Sequence, residues 1–497
     1  MNSLIYGKDP TEGITNISYK DGAIYVFSEY GESDPIEWKP WAISSKNIEG
    51  STLLDGTQHY KYLHRFASLE EMQEKRNRIY ELDMYTVWNM PEQFMLMEGV
   101  TYFKGMNIKD VSVLSFDIET DGLKHTDKSK VFMIGNTFRK GEETHKRIFD
   151  LKNYNGDCGA LIDDWCSYVR QCNPSIMLGH NVYMYDLPYL QHVSNLYRTS
   201  LKLGRDGSDI RFEDKTSKFR KDGSQSYDYN KANIFGRDII DTWMLSIQYD
   251  IGRSFISYGL KQIIKQLGLE KEGRTFVDAS KISYYYENDE EMYSLACKYC
   301  DDDSEDSLKL FDIMAPAKFY FTQSVPKTFQ EMGTSATGSQ INNIMVRSYL
   351  QEGNSIAKGD GAVAFEGAHS LGIPGVYKNC VRWDVSSLYP SIMRQYKIYH
   401  TKKDPNKNFL NMVEFFTLER LKNKKLAKET GNQYFKDLEQ SQRVAANSMY
   451  GFMGAPKLNY NYPFGAAEVT RYGRETLEKA VRWASGKNIE ELKNENL

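Results

Sequence analysis

Carboxylates that could hold divalent metal ions lie in several separated stretches of the sequence. In SFDIET, which spans Ser115–Thr120, Asp117 and Glu119 are two residues apart. The alternation of apolar and polar residues predicts a strand here, and positions i and i+2 of a strand share a face. Two oxygen ligands at that separation suit Mg²⁺ or Mn²⁺. Because such pairs are common on solvated surfaces, this interpretation depends on further acids elsewhere in the chain.

Two later acids and a phenol fit the same kind of site. Asp186, in GHNVYMYDLPYL, has apolar neighbours, among which an unpaired charge is costly. Farther along, the run YCDDDSEDSLKLF begins on a predicted helix with Tyr299 and Asp303 at i and i+4, on one face. An acidic run alone is typical of a solvated helix face. Its register with Tyr299, a phenol that could orient an attacking water, singles out Asp303.

Asp384 is a separate carboxylate at the end of an apolar run in VRWDVSSLYPSIM. This stretch predicts a strand, a turn and a helix, an arrangement that fits half of a two-metal phosphoryl-transfer site. No Asp occurs after Asp437, and the later acids are all Glu on predicted helices or in the tail. The second carboxylate that such a site requires is therefore not expected within these 497 residues.

Basic and polar residues downstream of Asp384 fall on two predicted helices, joined by the turn ETGNQ into an antiparallel hairpin. On the first helix, which is predicted to start near Glu414, two basic residues are i and i+4. On the second helix three residues share one face, at i, i+4 and i+7. In chain order these residues are Arg420, Lys424, Arg443, Asn447 and Tyr450.

Bulk properties limit the class of protein. A chain of 497 residues is too long for one core, so three or more domains are expected. With 40% hydrophobic and 26% charged residues, no long apolar run and no signal-peptide pattern at the start, the sequence indicates a soluble protein. The net charge of -4 means that nucleic acid would have to meet local basic patches.

Cysteine usage indicates a reducing compartment, because six Cys in so long a chain provide no disulfide framework. Cys297 and Cys300 form a C-x-x-C pair. Since the other four Cys lack the spacing of a second zinc-binding pair, we interpret these two as buried thiols on a helix, with zinc as the less favoured alternative.

The order of patterns along the chain predicts a multidomain protein of α/β and α+β class. Residues 68–89 predict one charged helix within a region of short strands. From about 160 to 310, helical patterns alternate with short strands, which is typical of an α/β domain. The polar stretch 201–235 interrupts it as an exposed hairpin or loop, either solvated or in contact with DNA. A last helix is predicted to end at Gly486.

The acids described first, in this order and with Tyr299, resemble the DnaQ-like (RNase H-like) 3′–5′ proofreading exonuclease. The local stretches GRDIIDTW and SYGLK resemble the segment between the second and third exonuclease motifs of B-family DNA polymerases. The resemblance implies two Mg²⁺ or Mn²⁺ ions about 4 Å apart at the scissile phosphate. Asp117 would bridge both ions, Glu119 and Asp303 would hold the first, and Asp186 the second. Tyr299 would position the nucleophile, and Asn181 would contact DNA.

The stretch DVSSLYPSI resembles the first palm motif of B-family DNA polymerases, D-x-x-S-L-Y-P-S-I, and its continuation MRQYKI resembles the version in replicative polymerases of tailed bacteriophages. The resemblance implies that Asp384 and the Val385 carbonyl hold two catalytic metal ions. Backbone amides near Ser387 and Leu388 would cradle the phosphates of a dNTP. The ring of Tyr389 would exclude a ribose 2′-hydroxyl.

Two further stretches extend the resemblance. RVAANSMYGFMG resembles the motif K-x-x-x-N-S-x-Y-G, although Arg443 stands where the family usually has Lys and offers a planar fork instead of a point donor. FEGA resembles the linker motif Y-x-G-G/A with Phe in place of Tyr, and implies DNA contacts by Phe365 and Gly367. The dNTP would be contacted by Ser387, Leu388, Tyr389, Arg420, Lys424, Arg443, Asn447, Tyr450 and Gly451.

We therefore identify the chain as resembling the N-terminal part of a split, phage-type B-family replicative DNA polymerase. The resemblance implies an N-terminal domain (1–108, with 315–375 returning to it), an exonuclease domain (109–314), a first palm part (376–413), fingers (414–455) and a second palm part (456–497). A partner chain would supply a D-T-D hairpin and the thumb, and could connect to a sliding clamp. Primer-template DNA would be bound in the cytoplasm of a host cell.

Three alternatives stay open at this point. The split could be natural, or the sequence could be a piece of a longer chain. The protein could be a stand-alone 3′–5′ DNA exonuclease whose polymerase half is a relic. It could also be a non-catalytic DNA-binding scaffold, although the exonuclease acids argue against that interpretation.

Overall fold

The computed structural model describes residues 2–220, 225–370, 372, 375–381 and 384–494. Its N-terminal region holds a four-stranded sheet, in which β1, β2 and β3 follow one another and β4 also pairs with β2, and a three-stranded sheet of order β5-β7-β6. The elements are α1(Ser3–Tyr6), β1(Ile14–Lys20), β2(Ala23–Ser28), β3(Gly31–Glu32), β4(Ile36–Glu37), β5(Trp41–Ser44), β6(Thr52–Leu53), β7(Tyr62–Arg65), α2(Leu69–Glu74), α3(Arg76–Glu81) and α4(Met90–Glu98).

The single helix expected over residues 68–89 is wrong. The chain forms the short helices α2 and α3, runs irregularly, and then begins α4. Asp83 takes a left-handed backbone conformation (φ 49°), which stops α3. Asn89 caps α4 by accepting a hydrogen bond from the Glu92 N–H, and Pro91 lies in the first turn of that helix. The sequence pattern is helical throughout, but the turn at Asp83 and the new N-cap at Asn89 divide the segment into separate helices.

A five-stranded mixed sheet forms the next unit. Its order is β10-β9-β8-β11-β16, with β8 antiparallel to β9 and parallel to β11. Its elements are β8(Val113–Thr120), β9(Val131–Lys140), β10(Glu143–Asp150), α5(Cys158–Cys172), β11(Ile176–Gly179), α6(Asp186–Leu196), β12(Arg211–Phe212), β13(Ser217–Arg220), β14(Ser226–Tyr229), β15(Ala232–Asn233), β16(Asp238–Asp241), α7(Thr242–Tyr249), α8(Leu260–Gln266), α9(Ile282–Asn288) and α10(Glu290–Met314).

Side chains on the two faces of this sheet enter two different cores, because neighbouring residues of a strand point to opposite faces. Val113 packs into the core shared with the N-terminal region and the C-terminal helices, whereas Leu114 packs into the core beneath α5. On β11, Ile176 and Leu178 enter the first core and Met177 the second. The central sheet is thus packed on both faces.

The polar insertion, which was predicted as an exposed hairpin or loop, contains two short antiparallel strand pairs, one enclosed by the other. β12 pairs with β15, and β13 pairs with β14. The rings of Phe219 and Tyr227 lie 6.2 and 4.8 Å from the ring of Trp243 at the start of α7. The insertion is therefore anchored to the α/β unit by aromatic packing.

The second half of the chain is helical. Its elements are α11(Pro316–Thr322), α12(Phe329–Thr334), α13(Thr337–Leu350), α14(Leu388–Gln395), α15(Asn408–Thr430), α16(Gln433–Gly454), α17(Pro463–Ser485) and α18(Ile489–Asn494). The expected helical hairpin is α15 and α16: Gly431 ends α15 in a left-handed conformation, and Asn432 caps α16. Gly486 ends α17 in the same left-handed conformation, as the sequence predicted.

The strand expected before Asp384 is not formed by the described residues 375–381 and 384–387. Arg382 and Trp383, which belong to the same expected strand, lie outside the described residues. A strand requires a neighbour for its backbone hydrogen bonds, and no described strand pairs with this stretch. Among the described helices, none has the length and apolar character that a bilayer crossing requires.

Candidate functional site

Three of the predicted carboxylates converge at the sheet. Asp117 and Glu119 project from β8, and Asp303 projects from α10, which packs across β8 and β9. One carboxylate oxygen from each residue lies within 4.8 Å of the others. Glu119 and Asp303 are buried, with 8% and 6% of their surface exposed. The structure thus brings together three acids that are separated by up to 186 positions in the sequence.

A glycine allows α10 to come this close to the carboxylates. Gly135 on β9 lies directly across from Asp117. A Cβ atom at Gly135 would lie 2.7 Å from the backbone oxygen of Cys300 on α10, which is closer than real Cβ contacts. The Cys300 thiol in turn donates a hydrogen bond to the Asp117 backbone oxygen, at 3.4 Å. Because Gly135 on β9 has no side chain, α10 can lie close to the sheet, which brings Asp303 near Asp117 on the adjacent strand β8.

The carboxylates repel one another. Burial, and then the charges of Asp303, Glu119 and Asp186, raise the pKa of Asp117 well above its usual range. Burial followed by the charge of Asp303 raises the pKa of Glu119 to about 8. A divalent cation would remove this repulsion, and three carboxylate oxygens at this separation are the donor set that Mg²⁺ or Mn²⁺ prefers. The residues present therefore fit such an ion.

Asp186 and Tyr299 lie next to this cluster but outside it. Asp186 is the first residue of α6 and is 4% exposed. Burial and then the charge of Asp241 raise the pKa of Asp186 to about 8. Tyr299 is buried on α10, and the Lys261 ammonium lies 4.0 Å from its ring centroid. Asn181, the predicted DNA contact, is half-buried in the loop between β11 and α6.

Two basic residues complete the site, and sequence reasoning assigned neither a role. The Arg274 guanidinium donates hydrogen bonds to Asp303 and, through Nε at 2.7 Å, to Asp306. Lys261 Nζ lies 3.6 Å from the second oxygen of Asp303. The acidic run on α10 is thus not a solvated face, since Asp302, Asp303 and Asp306 are all buried. These ion pairs join distant segments, and no local spacing indicates them.

Arg274→Met is expected to destabilise the protein by about 3 kcal/mol, because Asp303 and Asp306 would both lose a buried ion-pair partner, although Asp306 keeps Lys309 at 3.1 Å. Urea unfolding would measure this change. Lys146→Met is the matched control, since Lys146 pairs with Asp301 and Glu305 at the more exposed side of the same helix. The control should cost no more than about 1 kcal/mol. Equal losses in the two variants would contradict the assignment of Arg274 as a buried clamp.

The residues of the second predicted site lie along an open surface. Asp384 and Val385 are exposed, and Ser387 takes a left-handed conformation (φ 53°) immediately before α14. Leu388 begins that helix and is half-buried. The Tyr389 ring lies 4.7 Å from the ring of Tyr450 on α16. Among the described residues, Asp384 belongs to no group of three potential metal ligands.

The predicted dNTP contacts on the helical hairpin differ in accessibility. Lys424, Arg443, Asn447 and Gly451 are exposed, whereas Arg420 is buried. Earlier in the chain, Phe365 packs against Gly454, and the Gly367 backbone oxygen accepts a hydrogen bond from Arg474 at 2.6 Å. The FEGA stretch therefore lies along α16 and α17.

Arg420 connects the hairpin to the stretch that carries Asp384. Its Nη1 donates to the Ser387 hydroxyl at 2.5 Å, and its Nε donates to Glu439 at 2.8 Å. Glu439, on α16, was not predicted to take part in this site. The guanidinium that sequence analysis assigned to phosphate is thus held between the Ser387 hydroxyl and the Glu439 carboxylate.

The fold and the carboxylate cluster define a class of protein. Residues 2–494, as far as they are described, adopt the fold of a family B DNA polymerase: the chain superimposes on the structure of the family B DNA polymerase from Pyrobaculum calidifontis with a TM-score of 0.74. The sequences are 16% identical, and the match covers 94% of this chain and 71% of that one. Residues 55–263 match the profile of the exonuclease domain of DNA polymerase family B.

Sequence relatives agree with this class. The chain is 21% identical to a DNA polymerase of Archaeoglobus fulgidus over 427 residues, which cover 80% of this chain and 51% of the relative. It is 24% identical to the DNA polymerase delta catalytic subunit of Dictyostelium discoideum over 435 residues, or 74% of this chain and 38% of that protein. The chain thus spans about half the length, or less, of these relatives.

Proposed function

We propose that this chain removes nucleotides from the 3′ end of DNA. The observation that supports this most directly is the convergence of Asp117, Glu119 and Asp303 in one cluster, of which Asp117 and Glu119 lie in the stretch that matches the family B exonuclease domain. Two Mg²⁺ or Mn²⁺ ions would supply the charge that stabilises the transition state and activates water. Asp117, Glu119 and Asp303 would hold them together with Asp186.

The chain's own side chains would prepare this chemistry. Arg274 and Lys261 hold Asp303 in one orientation, so that it would meet the metal ion without rearranging. Tyr299 would orient the attacking water from the same helix. Asn181 would contact the 3′-terminal nucleotide. The test is digestion of a 5′-labelled single strand with Mg²⁺, with Mn²⁺ and with EDTA: loss of 3′ nucleotides only with metal supports the proposal, and an intact strand in every case contradicts it.

We further propose that residues 376–497 form part of a DNA polymerase active site. Asp384 and the Val385 carbonyl would hold catalytic metal ions, and Ser387, Leu388 and Tyr389 would receive the dNTP. Arg420, Lys424, Arg443, Asn447, Tyr450 and Gly451 would contact its phosphates and base, and Phe365 and Gly367 would contact DNA. The support is the exposed face formed by Lys424, Arg443 and Asn447 beside the Tyr389–Tyr450 ring pair.

Polymerisation would require a partner chain. The 497 residues contain no Asp after Asp437, and Asp384 belongs to no group of three potential metal ligands in the described part of the chain. A partner would supply the second palm carboxylate in a D-T-D hairpin, together with the thumb. The phage-type stretch Met393–Ile398 supports a virus-encoded replicative enzyme that acts in the cytoplasm of a host cell, with a sliding clamp reached through the partner.

The domain division that accompanies this function has an N-terminal domain (1–108 with 315–375), the exonuclease domain (109–314), palm segments (376–413 and 456–497) and fingers (414–455). Contacts between distant segments support it: Tyr60 pairs with Ile356, and Asp55 pairs with Asn354. A stand-alone exonuclease with a relic polymerase half is the alternative. Retention of the residues around Tyr389 and Asn447 argues against a relic.

Tyr389→Val is expected to raise the ratio of ribonucleotide to deoxyribonucleotide incorporation by the enzyme reconstituted with its partner. The Tyr389 ring would contact the sugar at C2′, and a smaller side chain removes that contact. Incorporation of rNTP and dNTP at one template position would measure the ratio. The matched control is Tyr396→Val, because Tyr396 stacks on Tyr472 at the other end of α14. An unchanged ratio in an active Tyr389→Val enzyme would assign the selection to another residue.

A further inference from the structure

One acid outside the predicted site governs the shape of the loop that carries Asn181. Asp241 ends β16, which lies beside β11 in the sheet, with Gly179 paired to Asp241. The loop 180–185 leaves β11 at this same edge and leads into Asp186. Asp241 is 4% exposed. The Asp241 carboxylate is therefore buried where the loop between β11 and α6 begins.

The Asp241 carboxylate accepts hydrogen bonds from both the loop and a helix. Oδ1 accepts from the backbone N–H groups of Asn181 and Trp243, each at 2.9 Å, and Oδ2 accepts from that of Tyr183 at 3.3 Å. The bond to Trp243 caps α7. A single carboxylate thus fixes the loop relative to the start of α7, and the two oxygens divide the loop contacts between them.

The backbone conformation of Asn181 is one that needs a restraint such as the hydrogen bonds to Asp241. Its backbone is left-handed, with φ 74°, a conformation that residues other than Gly seldom adopt. The Asn181 carbonyl accepts from the N–H groups of Met184 and Tyr185, at 3.2 and 3.1 Å, which turns the chain into α6. Its side-chain Oδ1 is buried and has no hydrogen-bond partner among the described residues. An unused amide in a strained conformation beside Asp186 indicates a binding role.

We propose that Asp241 is a positioning residue of the exonuclease, which acts by holding Asn181 in its left-handed conformation so that the side-chain amide meets the 3′-terminal nucleotide. This inference rests on the exonuclease proposed above. Only a carboxylate accepts from all three backbone donors, because an amide that kept its oxygen toward Asn181 and Trp243 would turn its N–H group toward the Tyr183 N–H.

A double-mutant cycle separates this role from a general structural one. The variants are Asn181→Gly, which keeps the backbone conformation and removes the amide, Asp241→Ser, which retains a helix-capping oxygen, and the two combined. Each single change should raise KM for single-stranded DNA about tenfold with little change in kcat, as for one lost hydrogen bond. Because both act on the same contact, the combined variant should resemble either single one.

The same substitution at another capping acid is the control. Asp157 caps α5 by accepting from Gly159 and Ala160, and it makes no described contact to the loop. Asp157→Ser should leave KM unchanged while lowering the melting temperature to a similar extent. Three results would each overturn the proposal. The first is a KM increase in the combined variant that equals the product of the two single increases. The others are a wild-type KM in Asp241→Ser and an equal KM increase in Asp157→Ser.

A second comparison leaves Asp241 in place, in case Asp241→Ser does not fold. Since Asp241 holds position 181 at positive φ, Asn181→Ala should lower the melting temperature further than Asn181→Gly, although both lack the amide and should have a similar KM. Equal melting temperatures would contradict the restraint. Binding of a fluorescent oligodeoxythymidine in EDTA repeats the cycle without catalysis. If the wild-type chain digests no DNA, the exonuclease proposal is refuted. The binding measurement in EDTA would still test the role of Asp241 in holding Asn181.

Discussion

Asp117→Ala is expected to lower the rate of 3′-end digestion by at least about 10³-fold, because metal-assisted stabilisation contributes several kcal/mol to phosphoryl transfer and each 1.4 kcal/mol is about tenfold in rate. Asp117 lies on the central strand β8 and contributes to the one group of three potential metal ligands found among the described residues. In the proposed arrangement Asp117 bridges the two ions, so its loss would leave only Glu119, Asp303 and Asp186 to hold them. Single-turnover digestion of a labelled oligonucleotide would measure the rate.

The stability of the same variant distinguishes loss of metal binding from misfolding. Without metal, burial and then the charges of Asp303 and Glu119 raise the folded-state pKa of Asp117. A carboxyl group with a raised folded-state pKa costs stability once the pH exceeds its unfolded-state pKa, so Asp117→Ala should melt at or above the wild-type temperature in EDTA at neutral pH. Mg²⁺ should raise the melting temperature of the wild type but not that of the variant.

The control for this prediction is Asp34→Ala, at an exposed position between β3 and β4. It should digest DNA at the wild-type rate and respond to Mg²⁺ as the wild type does. Undiminished digestion by Asp117→Ala would refute the assignment of this acid as a metal ligand. Inactivity together with a much lower melting temperature in EDTA would instead indicate a misfolded variant.

The second large effect concerns DNA synthesis. The isolated chain is expected to extend a primer at background level, at any dNTP concentration, because one carboxylate and a triphosphate cannot fix two metal ions beside the primer 3′-hydroxyl. Asp384 is exposed, and no second carboxylate is grouped with it in the described residues. Addition of a partner that carries the D-T-D hairpin and thumb should restore synthesis. Primer extension with and without the partner would measure both results.

Association provides an independent measurement for the same prediction. An interface that completes a palm should be large and apolar, so the two chains should co-elute in size-exclusion chromatography and remain together at high salt. Asp384→Ala in the reconstituted enzyme should return synthesis to background without disrupting the complex. Robust synthesis by the purified single chain would contradict this prediction, and would mean that a glutamate such as Glu468 had taken the missing role.

The residues of the carboxylate cluster could be predicted because their signals are local. Asp117 and Glu119 share a strand face, and Tyr299 and Asp303 share a helix face, and both periodicities can be read directly from a sequence. The structure brings three of these acids together as those patterns suggest. The roles of the individual acids stay predictions, since only their arrangement is seen.

Residues that act through contacts between distant segments carry no such signal. Arg274 reaches Asp303 and Asp306 from a loop, and Asp241 reaches Asn181 from 60 positions away in the sequence. The prediction of one helix over residues 68–89 was wrong for a different reason. The helical pattern of the sequence continues through Asp83, although the backbone turns at that residue. Prediction therefore succeeded for periodic patterns and failed where tertiary contacts decide.

The central sheet of the exonuclease domain is packed on both faces, with Ile176 and Leu178 facing one core and Met177 facing the other. A layer fixed between two cores cannot rotate as a hinged unit without exposing one of them, and exposing apolar surface costs about 25 cal/mol per Å². The cutting site would therefore stay at a constant separation from the helical hairpin during a catalytic cycle. Under the proposed function, the frayed 3′ end of the DNA would then have to move between the two sites, and its melting, not a domain movement, would set the rate of that transfer.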